Sequence, residues 1–275
     1  MKRFILFMIV LKMIGCHSVK DTFIENVSSE FKEQPIQEKE ILTEKDLNGL
    51  PTLVQKYLRY TGSIGKEKIQ NFRLEFYAEM RKTNESAPMK SDTIQYNFYT
   101  NPARHFYLET SMFLIPARVL HSYSKEKASM QVRIANLFNI TNISGEELSK
   151  TETLTLLNDL CFFAPAALID KRIQWETIDD TSVKAIFQNG RHKVTAVLFF
   201  NELGELINFT TDERGALQDD NTMKYVKWST PIGNYKDFNG RKIATYGEAI
   251  YHYPEGDLTY GKFFLRKIDY NVKEF

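Results

Sequence analysis

The acidic side chains of one predicted helix are the residues best placed to do chemistry. Glu152 and Asp159 are seven positions apart, which is about two helical turns, so both carboxylates lie on one helix face. Asn158 is adjacent to Asp159. Two carboxylates that meet in one cleft can serve as general acid and general base, as glycoside hydrolysis requires. The structural interpretation is helix capping and contact with neighbouring loops.

Three further charged candidates lie outside this helix. Asp212 and Arg214 are two positions apart, so in a strand they face the same way, where an ion pair that fixes a loop is the structural interpretation. Glu79 lies opposite the apolar side of its strand, which is usually a solvated sheet face. A polar site would therefore draw on the following residues: Glu79, Glu152, Asn158, Asp159, Asp212 and Arg214.

The sequence carries none of the common catalytic or cofactor-binding motifs. It has no G-x-G-x-x-G, P-loop, G-x-S-x-G, H-E-x-x-H or C-x-x-C pattern, and its five histidines are scattered without metal-ligand spacing. We therefore predict no cofactor and no metal, and we assign no catalytic residue. The formal net charge of +1 argues against nucleic acid as a partner, because nucleic-acid binders usually carry a basic excess.

Aromatic side chains make up 13% of the 275 residues, and many of them fall in predicted strands. Close packing of a sheet against helices is one interpretation, because protein interiors are dense. The other is an apolar cavity that holds a lipid or another hydrophobic ligand. Its candidate lining residues are Phe76, Phe98, Phe106, Phe200 and Phe209.

The N-terminus predicts a location in a bacterial cell envelope. Lys2 and Arg3 precede an apolar run over residues 4–11, which is too short to span a bilayer and is typical of a signal peptide. Gly15 followed by Cys16 resembles a bacterial lipobox, so we predict a signal peptide over residues 1–15 and a lipidated Cys16 that anchors the protein to a membrane. An uncleaved anchor, an ordinary signal peptide and a cytosolic protein remain alternatives. Residues 16–45 are polar and charged, which predicts a tether.

Periodicity predicts one α+β domain over residues 46–275. Pro51 opens a short helix at a favourable first position, and Gly62 ends it. Residues 145–163 carry apolar residues at helical spacing. Elsewhere apolar residues alternate with polar ones between tight turns such as Asn189-Gly190, which predicts about ten antiparallel strands. The later ones include a strand over residues 223–229 and two strands over residues 241–246 and 248–253. These would form a large curved antiparallel sheet, or incomplete barrel, that wraps two or three helices. Cys161, the only other cysteine, is predicted to be a small buried hydrophobe.

Four segments resemble a bacterial family of unknown function. They are E-T-L-T-L-L-N-D-L-C-F-F-A-P-A-A-L-I-D at 152–170, F-N-E-L-G-E-L-I-N-F-T-T-D-E-R at 200–214, L-P-T-L-V-Q-K-Y-L-R-Y-T-G at 50–62 and W-S-T-P from Trp228. The family brings no established reaction. The predicted strand order and mid-chain helices are more loosely similar to envelope lipoprotein carriers, and this resemblance implies an incomplete barrel around helices and an apolar cavity.

Three functions remain open at this point. The protein is a binding module for a lipid or other hydrophobic ligand, an interaction scaffold for another envelope protein, or a hydrolase that uses carboxylates from residues 152–170 together with Asp212. A continuous apolar cavity would separate the first from the second. Carboxylates that converge within about 5–10 Å in a pocket would favour the third.

Overall fold

The computed structural model describes residues 18–35, 38–112, 115–135 and 137–275. Within these ranges the chain has the predicted α+β class, with three α-helices and one large curved antiparallel sheet. That sheet has fourteen strands, more than the ten or so expected, and a two-stranded ribbon lies beside it. The strands are β1 Asn71–Met80, β2 Met89–Phe98, β3 Ala103–Met112, β4 Ile115–Ser124, β5 Lys127–Ile134, β6 Phe138–Ser144, β7 Ile173–Thr177, β8 Ser182–Asn189, β9 His192–Phe200, β10 Leu206–Thr211, β11 Gly215–Leu217, β12 Met223–Tyr225, β13 Lys227–Ser229, β14 Ile232–Phe238, β15 Arg241–Tyr253 and β16 Gly256–Tyr270.

The strand order explains how the sheet surrounds a helix. It runs β6-β5-β4-β3-β2-β1-β16-β15-β13-β10-β9-β8-β7, while β14 pairs with β15 and β11 pairs with β12. Over the described ranges β6 and β7 are the two edges, so the barrel is incomplete. The chain passes between these edges through helix α3 (Glu146–Phe163) and a 3₁₀ turn (Pro165–Ile169). This connection places α3 across the inner face, in contact with strands from both halves of the sheet.

Helix α3 is buried around most of its circumference. It starts after Gly145 and ends before Pro165, which lacks the N–H needed to continue a helix. Leu154, Leu157 and Leu160 pack into the main core. The same helix also buries polar residues, and groups of that kind require hydrogen-bond partners. These polar residues are Ser149, Thr151, Glu152, Thr153, Thr155, Asn158 and Asp159.

Helix α2 (Thr52–Tyr60) packs against the core near α3. Val54, Tyr57 and Leu58 are buried, as their helical spacing predicts. The Tyr57 hydroxyl donates to the carbonyl oxygen of Cys161 at 2.9 Å, which links α2 to α3. Cys161 is free and fully buried, and burial raises the pKa of its thiol. This thiol is therefore a core group rather than a reactive one.

Helix α1 (Val19–Glu33) differs from the tether that we expected over residues 16–45. Ser18 and Asp21 form a capping box at its start. Val19, Phe23 and Val27, spaced four residues apart, form a buried stripe that packs on the outer face of the sheet. The surrounding charged residues obscured this narrow stripe in the sequence. Residues 1–17, including the predicted signal peptide and Cys16, lie outside the described residues.

Because α1 covers the outer face, β2 has two buried sides. Phe98, which we expected to line an apolar cavity, instead contacts α1 together with Tyr96. Thr93, Gln95 and Asn97 alternate with them and lie on the inner side, where they are buried. The inner face therefore contains a polar strip at β2, directly opposite α3.

The second half of the sheet is less regular than its periodicity predicts. Strands β11 and β14 were not predicted, and the predicted strand over residues 223–229 is divided into β12 and β13. The two strands predicted over residues 241–246 and 248–253 form one continuous strand, β15.

Among the helices that the structure describes, none combines the length and the apolar character that a membrane span requires.

Candidate ligand-binding cleft

A cleft lies between α3 and the inner face of the sheet. Its volume is about 170 Å³, and it opens to solvent. Strands β1 to β4 line one side, and β13 to β16 line the other. The cleft is thus formed where α3 meets both halves of the sheet.

One wall of the cleft is aromatic. Phe76 of β1 contacts the ring of Phe163 at 5.5 Å and that of Phe263 at 5.9 Å between centroids. Phe162 and Trp228 continue the wall, with Phe209 packed against both from behind. Most of the exposed surface inside the cleft is apolar. Such a surface favours the burial of hydrocarbon.

The opposite end is polar and is organised by Arg104 of β3. Its Nε donates to Oδ2 of Asp159 at 2.7 Å, and its Nη1 donates to Oε2 of Glu152 at 3.1 Å. Gln95 and Asn97 also donate to Oδ2 of Asp159, at 2.8 and 3.1 Å. The two carboxylates therefore share one guanidinium, which confirms that they lie on the same face of α3.

The two carboxyl groups have opposite pKa shifts. Burial raises the pKa of Glu152, but the hydrogen bond from His121 and the charge of Arg104 outweigh it and lower the pKa to about 2. Burial dominates at Asp159 and raises the pKa of its carboxyl group, although Arg104 and Asn97 oppose this. Glu152 is therefore ionised at neutral pH and neutralises the guanidinium of Arg104.

Arg214 occupies a cage of aromatic rings at the cleft. Its guanidinium carbon lies 4.6 Å from the ring centroid of Trp228, 5.7 Å from that of Tyr251 and 6.0 Å from that of Tyr260. Nη1 donates to the hydroxyl of Tyr251, and the buried Nε has no partner within the described parts of the chain. Burial opposes the charge, but Tyr251, Tyr260 and Glu152 raise the pKa of Arg214. The cation is thus retained.

The structure brings half of the candidate residues to the cleft. Those that line it are Phe76, Phe106, Glu152, Asn158, Asp159 and Arg214. Asn158 donates to the hydroxyl of Thr230 at 2.8 Å. Phe106 stacks near the guanidinium of Arg104 at 5.2 Å.

The other candidates lie elsewhere. Phe98 is on the outer face against Phe31 of α1, and Phe200 packs on Tyr57 in the core. Phe209 lies behind the aromatic wall rather than on its surface. Asp212 is exposed, and Glu79 is on the outer face, where it accepts from the hydroxyl of Tyr77 at 3.2 Å. The lipidation candidate, Cys16, falls in the segment before residue 18 and stays a prediction.

Several residues that define the cleft were not predicted from the sequence. Arg104, Gln95 and His121 form its polar end, and Trp228 forms part of its wall. The signal available in the sequence was the alternation of polar residues at positions 93, 95 and 97. Buried polar side chains need hydrogen-bond partners, so a polar strip on a sheet that is covered on both faces indicates polar groups on the facing element. Within the described ranges, no three His, Cys, Asp or Glu side chains are grouped so as to hold a metal ion.

Comparisons with known proteins identify a family and two distant structural neighbours. A model described as "Family of unknown function (DUF6544)" matches residues 40–263, which agrees with the resemblance to a family of unknown function. The chain is similar to a DUF1329 family protein from Desulfovibrio piger, with 11% identity and a TM-score of 0.45 over 80% of this chain and 91% of that one. It is also similar to a LolA superfamily protein from Nitrosomonas europaea, with 9% identity and a TM-score of 0.43 over 80% and 94% of the two chains. No curated protein sequence matches the chain.

Proposed function

Because the chain belongs to the DUF6544 family of unknown function, we propose a function from the cleft itself: the protein binds a hydrophobic ligand between α3 and the sheet. The observation that supports this proposal is an apolar cleft that side chains do not fill. Protein interiors rarely leave voids larger than a water molecule. Because the cleft opens to solvent, its apolar walls are exposed to water, and a hydrophobic ligand that covers them would remove that surface from water.

The size of the cleft bears on the kind of ligand. A closed apolar cavity of about 150 Å³ holds one benzene ring. The cleft therefore encloses a ring or a short length of hydrocarbon, and the remainder of a longer chain lies along its open side. Burial at about 25 cal/mol per Å² of apolar surface supplies the affinity.

The polar end favours binding over hydrolysis. Glu152 and Asp159 both contact Arg104, which gives them a structural role in holding α3 against β3. Asp212, the third carboxylate of the hydrolase hypothesis, is exposed and does not line the cleft. An unfilled apolar cleft likewise favours a ligand-binding module over a scaffold with a packed interior.

The proposed location is the bacterial cell envelope, with the protein anchored through a lipid on Cys16. The sequence pattern over residues 1–16 supports this part of the proposal. A lipid anchor would keep the cleft near a source of acyl chains. Metabolic labelling with a palmitate analogue should mark the wild-type chain but not Cys16→Ser, and equal labelling of both would contradict the anchor.

Lipid extraction tests the proposed binding function. The mature chain carrying Cys16→Ser is purified without detergent from cells that supply lipids, and its extract is analysed by mass spectrometry. We expect a ligand near one equivalent. Ala249→Phe places a ring in the cleft and should reduce the bound ligand at least fivefold, whereas Ala87→Phe, at an exposed position, should not. A folded protein without ligand, or equal loading of both variants, would contradict the proposal.

A further inference from the structure

We propose that the ligand of the cleft is an amphiphile with a carboxylate head group, and that Arg214 binds this head group. The inference rests on the proposed binding function and deepens it by naming the chemistry of the ligand. It starts from a cation that lines the cleft and lacks a carboxylate in contact. Buried charges in proteins are normally paired.

The other charged side chains that line the cleft each contact a partner of opposite charge or a hydrogen-bonding group. Arg104 contacts Glu152 and Asp159, and His121 Nδ1 lies 3.5 Å from Oε1 of Glu152. Glu248 contacts Lys262 at 3.7 Å and accepts from the hydroxyl of Tyr246. These pairs occupy the carboxylates that line the cleft.

Arg214 stands apart from these pairs. It forms no ion pair within 4.0 Å in the portion of the chain that the structure describes, and Nε is buried without a hydrogen-bond partner. Its observed interactions are the aromatic cage and one hydroxyl, that of Tyr251. Glu152 and Asp159 act on it only through longer-range attraction.

The cage holds the guanidinium at the cleft while its charge is incompletely compensated. Trp228 belongs to both the aromatic cage and the apolar wall, so the proposed site for the head group adjoins the wall that would contact the hydrocarbon tail. An ionised carboxylate would accept charge-assisted hydrogen bonds from the guanidinium, which are stronger than bonds between neutral groups. Its hydrocarbon tail would then lie along the wall formed by Phe162, Phe163 and Phe76.

The fluorescence of Trp228 can report whether a ligand occupies the cleft. The chain has two tryptophans, and Trp175 lies on β7, away from the cleft. In the mature Cys16→Ser chain, Trp175→Phe leaves Trp228 as the only tryptophan. Its fluorescence is then titrated with decanoate, decanol and decylamine, which share one tail and differ in the head group.

We expect decanoate to bind about tenfold or more tightly than decanol, and decylamine most weakly, because only the carboxylate accepts charge-assisted hydrogen bonds from the guanidinium. Arg214→Gln should abolish the preference for decanoate over decanol while decanol still binds. Arg241→Gln is the matched control: Arg241 also stacks on an aromatic ring, Tyr270, and has a buried unpartnered nitrogen, but it does not line the cleft. It should retain the preference.

The head-group series on the unaltered cleft needs no substitution at Arg214, so it remains decisive if Arg214→Gln fails to fold. Equal affinity for decanoate and decanol overturns the head-group assignment but leaves the binding function standing. A preference for decanoate that survives Arg214→Gln overturns it as well. If none of the three ligands changes the fluorescence of Trp228 and Ala249→Phe has no effect, the binding function itself fails.

Discussion

At the scale of single residues, Glu152 couples the stability of the fold to pH. Its pKa falls from 4.5 to about 2 on folding, so its contribution is complete above pH 4.5 and is lost as the pH falls towards 2. A shift of this size corresponds to roughly 3 kcal/mol. Glu152→Gln should therefore lower the free energy of unfolding by roughly that amount at pH 7 and reduce the acid-induced loss below pH 5.

Urea unfolding at pH 7, 5, 4 and 3 measures this difference. Asp159 acts in the opposite direction, because burial raises its pKa and its ionisation opposes folding. Asp159 is present in both proteins, so the difference in stability between Glu152→Gln and the wild type at each pH reports the contribution of Glu152. Glu79→Gln, on the outer face, is the control and should change stability by less than about 0.5 kcal/mol. A parallel pH dependence of Glu152→Gln and wild type would contradict the assignment.

At the scale of elements, the contact between α2 and the β14–β15 turn depends on a glycine. Gly62 follows α2 with φ +64°, and a Cβ there would lie 2.4 Å from the carbonyl oxygen of Gly240. Gly65 also has positive φ, but a Cβ there would have no atom within 4 Å. Gly65→Ala should cost about 1–2 kcal/mol through backbone strain alone. Gly62→Ala should cost at least about 2 kcal/mol more in urea unfolding, and equal losses would contradict the close contact.

The elements also show how far the sequence predicts this fold. Period-two alternation and the Asn189-Gly190 turn predicted the antiparallel strands, and helical spacing predicted α2 and α3. Alternation shows that a strand has two sides, but it does not tell which side faces a helix. For that reason Phe98 was expected in the cleft, while Arg104 and Gln95 were missed. The buried stripe of α1 was hidden because its few apolar residues are interspersed with charged ones, a composition that resembles a tether.

The cleft itself was only partly predictable. Glu152 and Asp159 could be placed together because seven residues in a helix fix their relative direction. Their common partner, Arg104, comes from a strand about fifty residues earlier, and only the packing of α3 on β3 brings them together. Arg214 was identified as a candidate, but its aromatic cage combines β13, β15 and β16. Contacts over such distances depend on the strand order, which periodicity does not define.

At the scale of the whole molecule, the helices differ in how firmly they are held. Helix α3 lies inside the curved sheet and contacts both halves, whereas α1 covers one outer face through one small apolar cluster and a few polar side-chain contacts. Amides of α3 should therefore exchange only on global unfolding, and those of α1 through local undocking at lower free energy. Because α1 is not part of the cleft, its undocking should leave ligand binding intact.

Phe23→Ala tests this hierarchy. Phe23 is buried and stacks on Tyr107 at 5.2 Å, so its loss should cost about 3–5 kcal/mol of docking energy. Hydrogen exchange followed by mass spectrometry should show exchange over residues 19–33 close to that of an undocked helix, while α3 stays strongly protected and the decanol affinity is unchanged. Lys20→Ala, at an exposed position of α1, should leave both helices as in the wild type. If α3 loses its protection together with α1, the outer helix is part of one cooperative unit with the core, and the cleft depends on a helix that it does not contact.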